Sequence, residues 1–391
     1  MVSIVPAGSP AAADSIRDHQ WPLSSLDADG MAKVSTGRGV TVAVVDTGVD
    51  GTHPDLKGNV LPGKNFLKDQ GRRADRESES SHGTGMASLI AGHGHGPGGT
   101  GGIKGLAPAA KILPLRVTTD DSHAVGAAGR GAPLSRAIRY AADHGASVIN
   151  LSVSSSFDIP GLEDAVEYAR QKDAVVVAGS GNNGVETPYF PASYPGVIAV
   201  GAVDSSGKTW QMSNSGPHIL LSAPGVDVYS ASSDHQYDVG TGTSDATAYV
   251  SAAAALLRSK FPNLTAGQIA NRLVKTAELP ASMKGAKLPD KRYGYGIIRP
   301  YRALTEDIPV GSKNGPLPSP PAPTSPAPTY SPSPNASSGK GLSAYVILGF
   351  VGVAALGLLT VLTVVIVRRR RPVVPPPSPF GDQPPGPPFR Q

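Results

Sequence analysis

Cysteine is absent from the 391 residues. Disulfide staples, a thiol nucleophile and thiolate metal sites are therefore excluded. Charge is also sparse, at 17% of residues. The formal net charge of +5 is small, and four of the positive charges sit together at Arg368 to Arg371, so a nucleic-acid partner has little support. A basic start followed by an adequate apolar run is missing too, so no export signal is recognised. Ala11-Ala12-Ala13 before Asp14 still looks like a signal-peptidase cleavage site, and the expectation is that the native start lies upstream.

Glycine (47) and proline (38) are abundant, and about half of the proline falls after residue 308. This divides the chain into a globular body and a Pro-rich end. The expected divisions are an N-terminal extension (1–19), an α/β domain (20–308), a Pro/Ser/Thr-rich spacer (309–343), an apolar segment (344–367) and a basic, then Pro-rich tail (368–391). Residues 344–367 carry no charge, and as a helix would reach roughly 36 Å, enough to cross a bilayer. The arginines that follow should stay in the cytoplasm, which puts the body outside the cell and the tail inside. The spacer cannot bury enough apolar surface to fold, and a semi-extended form is expected.

Within the body, short β-branched runs alternate with helical patterns. Val40–Val45, Lys111–Val117, Ser147–Leu151, Ala174–Ala178 and Val197–Val200 read as strands. Pro133–His144 and Gly161–Lys172 read as helices, and Thr265 with Gln268 forms a capping box for another. This rhythm predicts an α/β fold, a mostly parallel doubly wound sheet with helices on both faces.

Three segments carry chemistry. Val42-Ala43-Val44-Val45-Asp46 puts a carboxylate at the carboxyl end of a buried strand, where open α/β sheets build their sites. Ser81-His82-Gly83-Thr84-Gly85 puts a histidine at a helix start among small residues. Gly242-Thr243-Ser244-Asp245 puts a hydroxyl at the N-terminus of an Ala-rich helix, where free N–H groups and the helix dipole favour developing negative charge. Each alone also reads as an ordinary turn cap, a structural histidine or a glycine-led helix cap. Together they present Asp, His and Ser in an order that differs from the chymotrypsin and α/β-hydrolase orders.

On these segments the chain resembles the subtilase family of serine proteases, from roughly Gln20 to Ile308. The resemblance implies Asp46, His82 and Ser244 as a catalytic triad. Gly179-Ser180-Gly181-Asn182-Asn183 resembles the family segment that supplies an oxyanion-hole amide, with Asn182 as the donor and Asn183 as the alternative. By the same resemblance Ser152-Val153-Ser154 pairs with extended substrate, Ser154 narrows a pocket where the family usually has Gly, and Gly181 forms a pocket wall. No cofactor is expected in the cycle. Asp55 and Gln20 match ligand positions of a structural calcium site found in some subtilases, but the matching loop Gly92–Gly102 lacks the usual ligands. His93 and His95 in that loop read as a surface loop rather than a metal pair. Asp245, Ala248 and Tyr249 depart from the family pattern. A carboxylate beside the nucleophile could oppose the oxyanion; it is read as structural or specificity-related. The polar stretch Thr118–Ala132 reads as a flexible insertion near the cleft.

The layout of extension, triad segments, spacer and C-terminal apolar segment is similar to the mycosins, membrane-anchored subtilases associated with type VII secretion in actinobacteria. That resemblance implies a single-pass membrane protease with an external catalytic domain. It also implies limited processing of peptide or protein substrates, alongside membrane proteins of a secretion complex. A structural component of such a complex and a tethered degradative protease are the alternatives.

Overall fold

The structure is a computed structural model that describes residues 16–67, 73–75, 81–119 and 131–318. The apolar segment 344–367, its flanking arginines and nearly all of the insertion before Ala132 lie outside the described residues. No helix among the described residues is long and apolar enough to cross a membrane.

Eleven strands are described: β1 (Thr41–Asp46), β2 (Lys64–Asn65), β3 (His93–His95), β4 (Gly101–Lys104), β5 (Lys111–Arg116), β6 (Val148–Leu151), β7 (Val175–Gly179), β8 (Val197–Val203), β9 (Ile219–Pro224), β10 (Val228–Ala231) and β11 (Tyr237–Gly240). The helices are α1 (Trp21–Ser25), α2 (Ala28–Ala32), α3 (His82–Ala91), α4 (Gly131–Asp143), α5 (Leu162–Gln171), α6 (Thr243–Lys260), α7 (Ala266–Thr276) and α8 (Pro300–Thr305).

Seven strands form one sheet in the order β2-β5-β1-β6-β7-β8-β9, and every pairing in it is parallel. The chain builds outward on one side of β1 and then reverses to the other side. β1 therefore lies at the switch point, where open α/β sheets build their sites. β3–β4 and β10–β11 are separate antiparallel hairpins.

The strands read as near-continuous apolar runs because both sheet faces are covered. Alternate residues of β1 serve different cores. Val42 and Val44 pack on one face with Met86, Leu89 and Ile90 of α3 and with α6. Ala43 and Val45 pack on the other with Leu134, Ile138, Leu162 and Val166 of α4 and α5. Helix α6 crosses β6, β7, β8 and β9, and its residues from Thr243 through Arg258 are buried. Its alanines let the helix lie close on the sheet.

The strands and helices expected from pattern are present to within a few residues, and the capping box at Thr265 and Gln268 is formed. The C-terminal edge of the body differs. Residues 309–318, placed in the spacer on composition, lie against α7. Asn271 Nδ2–H donates to the Pro309 carbonyl at 3.0 Å and Thr265 Oγ–H to the Lys313 carbonyl at 2.6 Å. Leu317 is buried against the core. Backbone carbonyls, which composition does not weigh, tie this stretch down. Thr265 thus serves both as N-cap and as tether. Thr265→Ala is expected to lower stability by about 1 kcal/mol or slightly more, read as a lower urea midpoint at unchanged slope.

Candidate active site

Asp46 ends β1 and is fully buried. A buried carboxylate needs hydrogen-bond donors. One is the Thr47 N–H, at 2.7 Å from Oδ1. Another is His82 Nδ1–H, at 2.9 and 3.0 Å from the two carboxylate oxygens. This contact fixes the tautomer, with the ring proton on Nδ1 facing the carboxylate.

His82 reaches Asp46 because α3 starts almost in contact with the turn after β1. A Cβ on Gly83 would stand 2.0 Å from the Gly48 carbonyl oxygen, so only glycine permits the approach. The Gly83 N–H also donates to Thr47 Oγ at 3.1 Å.

Ser244 lies in the first turn of α6. Its Oγ–H is 3.5 Å from the Ser152 carbonyl, and Ser152 Oγ–H donates to the Ser244 carbonyl at 3.3 Å. Asn150 completes the brace, donating to Ser152 Oγ at 3.0 Å and accepting from Ser251 Oγ–H at 2.9 Å. The end of β6 and the start of α6 are thereby locked together.

Asn182 is held by its oxygen. Oδ1 accepts the Thr243 N–H at 3.0 Å and Thr243 Oγ–H at 2.8 Å, which turns the Nδ2 donors outward. The point where a side chain on Gly242 would begin is 3.2 Å from Asn182 Nδ2 and 3.6 Å from the Ser244 N. Both nitrogens therefore lie near one point at the start of α6. Asn183 points to a different task, its N–H donating to Asn214 Oδ1 at 3.0 Å.

Two hollows meet at Ser244 and Asn182. One, of about 390 Å³, also includes His82, Asp238 and Asp245. The other, of about 340 Å³, includes Ser152, Val153, Ser154, Gly181 and Tyr189. At Gly181, φ is +103° and a Cβ would fall 2.4 Å from Asn214 Nδ2, so glycine is required at this wall.

Sequence reasoning missed Thr243 and Asn214. Thr243 orients Asn182. Asn214 holds the loop of Asn182, donating to the Ser180 carbonyl at 3.1 Å and accepting from Asn183 and Val185. Thr243 sat inside a segment already singled out, while nothing marked Asn214, which is brought in only by the fold.

Residues matched to a calcium site are otherwise engaged. Asp55 Oδ1 accepts His95 Nδ1–H at 2.6 Å, and Oδ2 accepts the Ile103 N–H at 2.7 Å. Gln20 clasps the Lys104 backbone through both amide atoms. Arg17 donates to the carbonyls of Gly99, Gly101 and Gly102 at 2.8 to 3.2 Å. A guanidinium thus takes carbonyls of this loop, and the donor set does not fit a calcium ion without rearrangement. His93 and His95 are in a hairpin rather than an open loop, and His93 Nε2 lies 3.0 Å from the Lys57 carbonyl. Among the described residues no group of three or more His, Asp or Glu is placed to hold a metal ion.

The sequence matches the family model described as the subtilase family over residues 37–296, and the chain belongs to that family of serine-type endopeptidases. Among known proteins it is similar to mycosin-1 of Mycolicibacterium smegmatis, 33% identical across 87% of this chain and 83% of the relative. It is 39% identical to the thermophilic serine proteinase of Bacillus sp. strain AK1, across 74% of this chain and 65% of that one. Among solved structures, MycP3 protease from the type VII (ESX-3) secretion system superposes with a TM-score of 0.62 at 34% identity, covering 78% of this chain and 91% of the other.

Burial pushes the Asp245 carboxyl up to about 7, against the pull of His82 and of its own backbone N–H. An acid whose folded-state value lies above its ordinary value near 4 binds its proton more tightly folded than unfolded. Its contribution is therefore most favourable below pH 4 and is lost as pH rises to about 7. Asp245→Asn is expected to raise the melting temperature at pH 8 by at least about 2 °C and to change it little at pH 4, by calorimetry.

Proposed function

We propose that this protein is a membrane-anchored serine endopeptidase that works through Ser244, His82 and Asp46, and that it performs limited processing linked to type VII secretion. The bond from His82 Nδ1 to the buried Asp46 carboxylate carries the reading, because it orients a neutral imidazole as a base. Ser244 Oγ attacks the peptide carbonyl carbon, and His82 Nε2 takes its proton. The tetrahedral oxyanion accepts hydrogen bonds from Asn182 Nδ2–H and the Ser244 N–H. As the C–N bond breaks, His82 returns the proton to the leaving amine. Water then hydrolyses the acyl-enzyme along the same route. Asp46 holds the tautomer and stabilises the imidazolium throughout. Metal ions have no assigned part in this cycle.

Ser154 sits in the hollow with Ser152, Val153 and Gly181, which we assign to the acyl half of the substrate. Its side chain supports restricted specificity over general degradation. Similarity to proteins named mycosin-1 and MycP3 supports the secretion link, and the uncharged run 344–367 followed by four arginines supports the anchor.

Three outcomes are expected. A fluorophosphonate should label the native chain and leave Ser244→Ala unlabelled, while Asn182→Ala should lose about 10²–10³ in kcat with a small change in KM. Unlabelled native protein would favour a structural role in a secretion complex. Separately, the full chain should remain in bacterial membranes through alkaline carbonate washing, and residues 1–343 alone should be released; recovery of the full chain in the wash would contradict the anchor.

A further inference from the structure

Ser244 and Asn182 border both hollows of the site, whereas His82 borders only the larger one. The imidazole must hand its proton to the departing amine, so the larger hollow receives the leaving half of the substrate. This assignment rests on the triad reading above. Among the described residues, the larger hollow carries two carboxylates, Asp238 and Asp245, and no lysine or arginine.

The two carboxylates differ. Asp238 is exposed on β11 and accepts a hydrogen bond from Ser81 Oγ–H at 3.2 Å. Asp245 is only 4% exposed, yet it lines the hollow directly after the nucleophile. Two glycines border it on the hollow side, of which Gly240 is the tight neighbour and Gly242 stands at ordinary contact distance. A Cβ on Gly240 would stand 3.1 Å from one Asp245 oxygen, and a Cβ on Gly242 would stand 3.6 Å from the other. The charged and titratable groups facing it are His82 from α3, Asp238 from β11 and Tyr249 one turn on in α6. Tyr249 is buried and stays neutral. Its Oη has no hydrogen-bond partner among the described residues, so it does not relieve the carboxylate.

An ionised carboxylate here opposes the oxyanion that forms beside it. A cation from the substrate would cancel that opposition while forming a charge-assisted hydrogen bond. The gain therefore falls partly on the transition state and not only on binding. A neutral or acidic side chain in the same place would leave the charge uncompensated.

We propose that Asp245, with Asp238 at the rim, selects substrates carrying lysine or arginine immediately after the cleaved bond. The preference depends on ionisation of Asp245, so it strengthens as pH rises through neutrality.

The test digests a proteome-derived peptide library with the full chain at pH 6 and pH 8 and reads the cut sites by mass spectrometry. At pH 8, lysine and arginine after the cut should be enriched about tenfold over glutamine and methionine, with glutamate depleted. At pH 6 the enrichment should fall below about threefold. Asp245→Asn should lose it at both pH values, and Asp245→Glu should keep it. Fluorophosphonate labelling of each variant shows that it is folded and reactive; if Asp245→Asn is unlabelled, Asp245→Ser takes its place. Native cleavage without a basic preference at pH 8, or a preference that survives loss of the carboxylate, overturns the proposal. A native chain that cuts no peptide contradicts the endopeptidase reading itself, and this inference falls with it.

Discussion

A carboxylate without solvent access ends an interior strand of the sheet, and much of the site is arranged to satisfy it. Asp46 is buried because β1 lies inside the sheet, covered on both faces. Its charge is kept by donors brought from two directions, the following turn and the start of α3. The close approach of Gly83 to the Gly48 carbonyl lets the histidine arrive at bonding distance. Removing the histidine would leave a buried charge with one strong donor fewer, a costly change in stability as well as chemistry. The position and orientation of the His82 ring are thus products of the fold.

The second half of the site hangs on a different support. Helix α6 is buried along nearly its whole length and lies across the carboxyl half of the sheet. Its first turn delivers Ser244, and the Thr243 side chain of the same turn orients Asn182. One rigid element therefore sets both the Ser244 side chain and, through Thr243, the Asn182 amide. That coupling holds the Asn182 amide and the start of α6 in one fixed arrangement.

Much of this was legible in the sequence. Continuous apolar runs marked five of the seven sheet strands, because a sheet covered on both faces needs no alternation. The Asp46, His82 and Ser244 segments were legible because each combines a chemical group with the local structure that presents it. Other features were not. The two-residue β2 is too short to carry a pattern, and β9 and the β10–β11 hairpin gave no signal that was recognised. Asn214 is remote in the chain from the loop it holds, and an isolated asparagine has no spacing to betray it. Arg17 lies outside any motif, yet its guanidinium gathers the glycine-loop carbonyls. Composition placed residues 309–318 in the spacer, and hydrogen bonds to carbonyls, invisible to composition, hold them on the body.

Asp245 stood out in the sequence as a departure, and the structure gives it a place in the hollow with His82. A buried carboxyl that weakens the fold as pH rises to neutrality, and that lines this hollow, calls for a compensating role. Whether the surrounding machinery works as argued is tested most directly by trapping the covalent intermediate. The chain, quenched in acid during turnover of a peptide ester and then digested, should carry an acyl group on the peptide containing Ser244, at the Ser244 oxygen. Steady turnover with no acyl group on that peptide, or with the acyl group on another residue, would contradict the account.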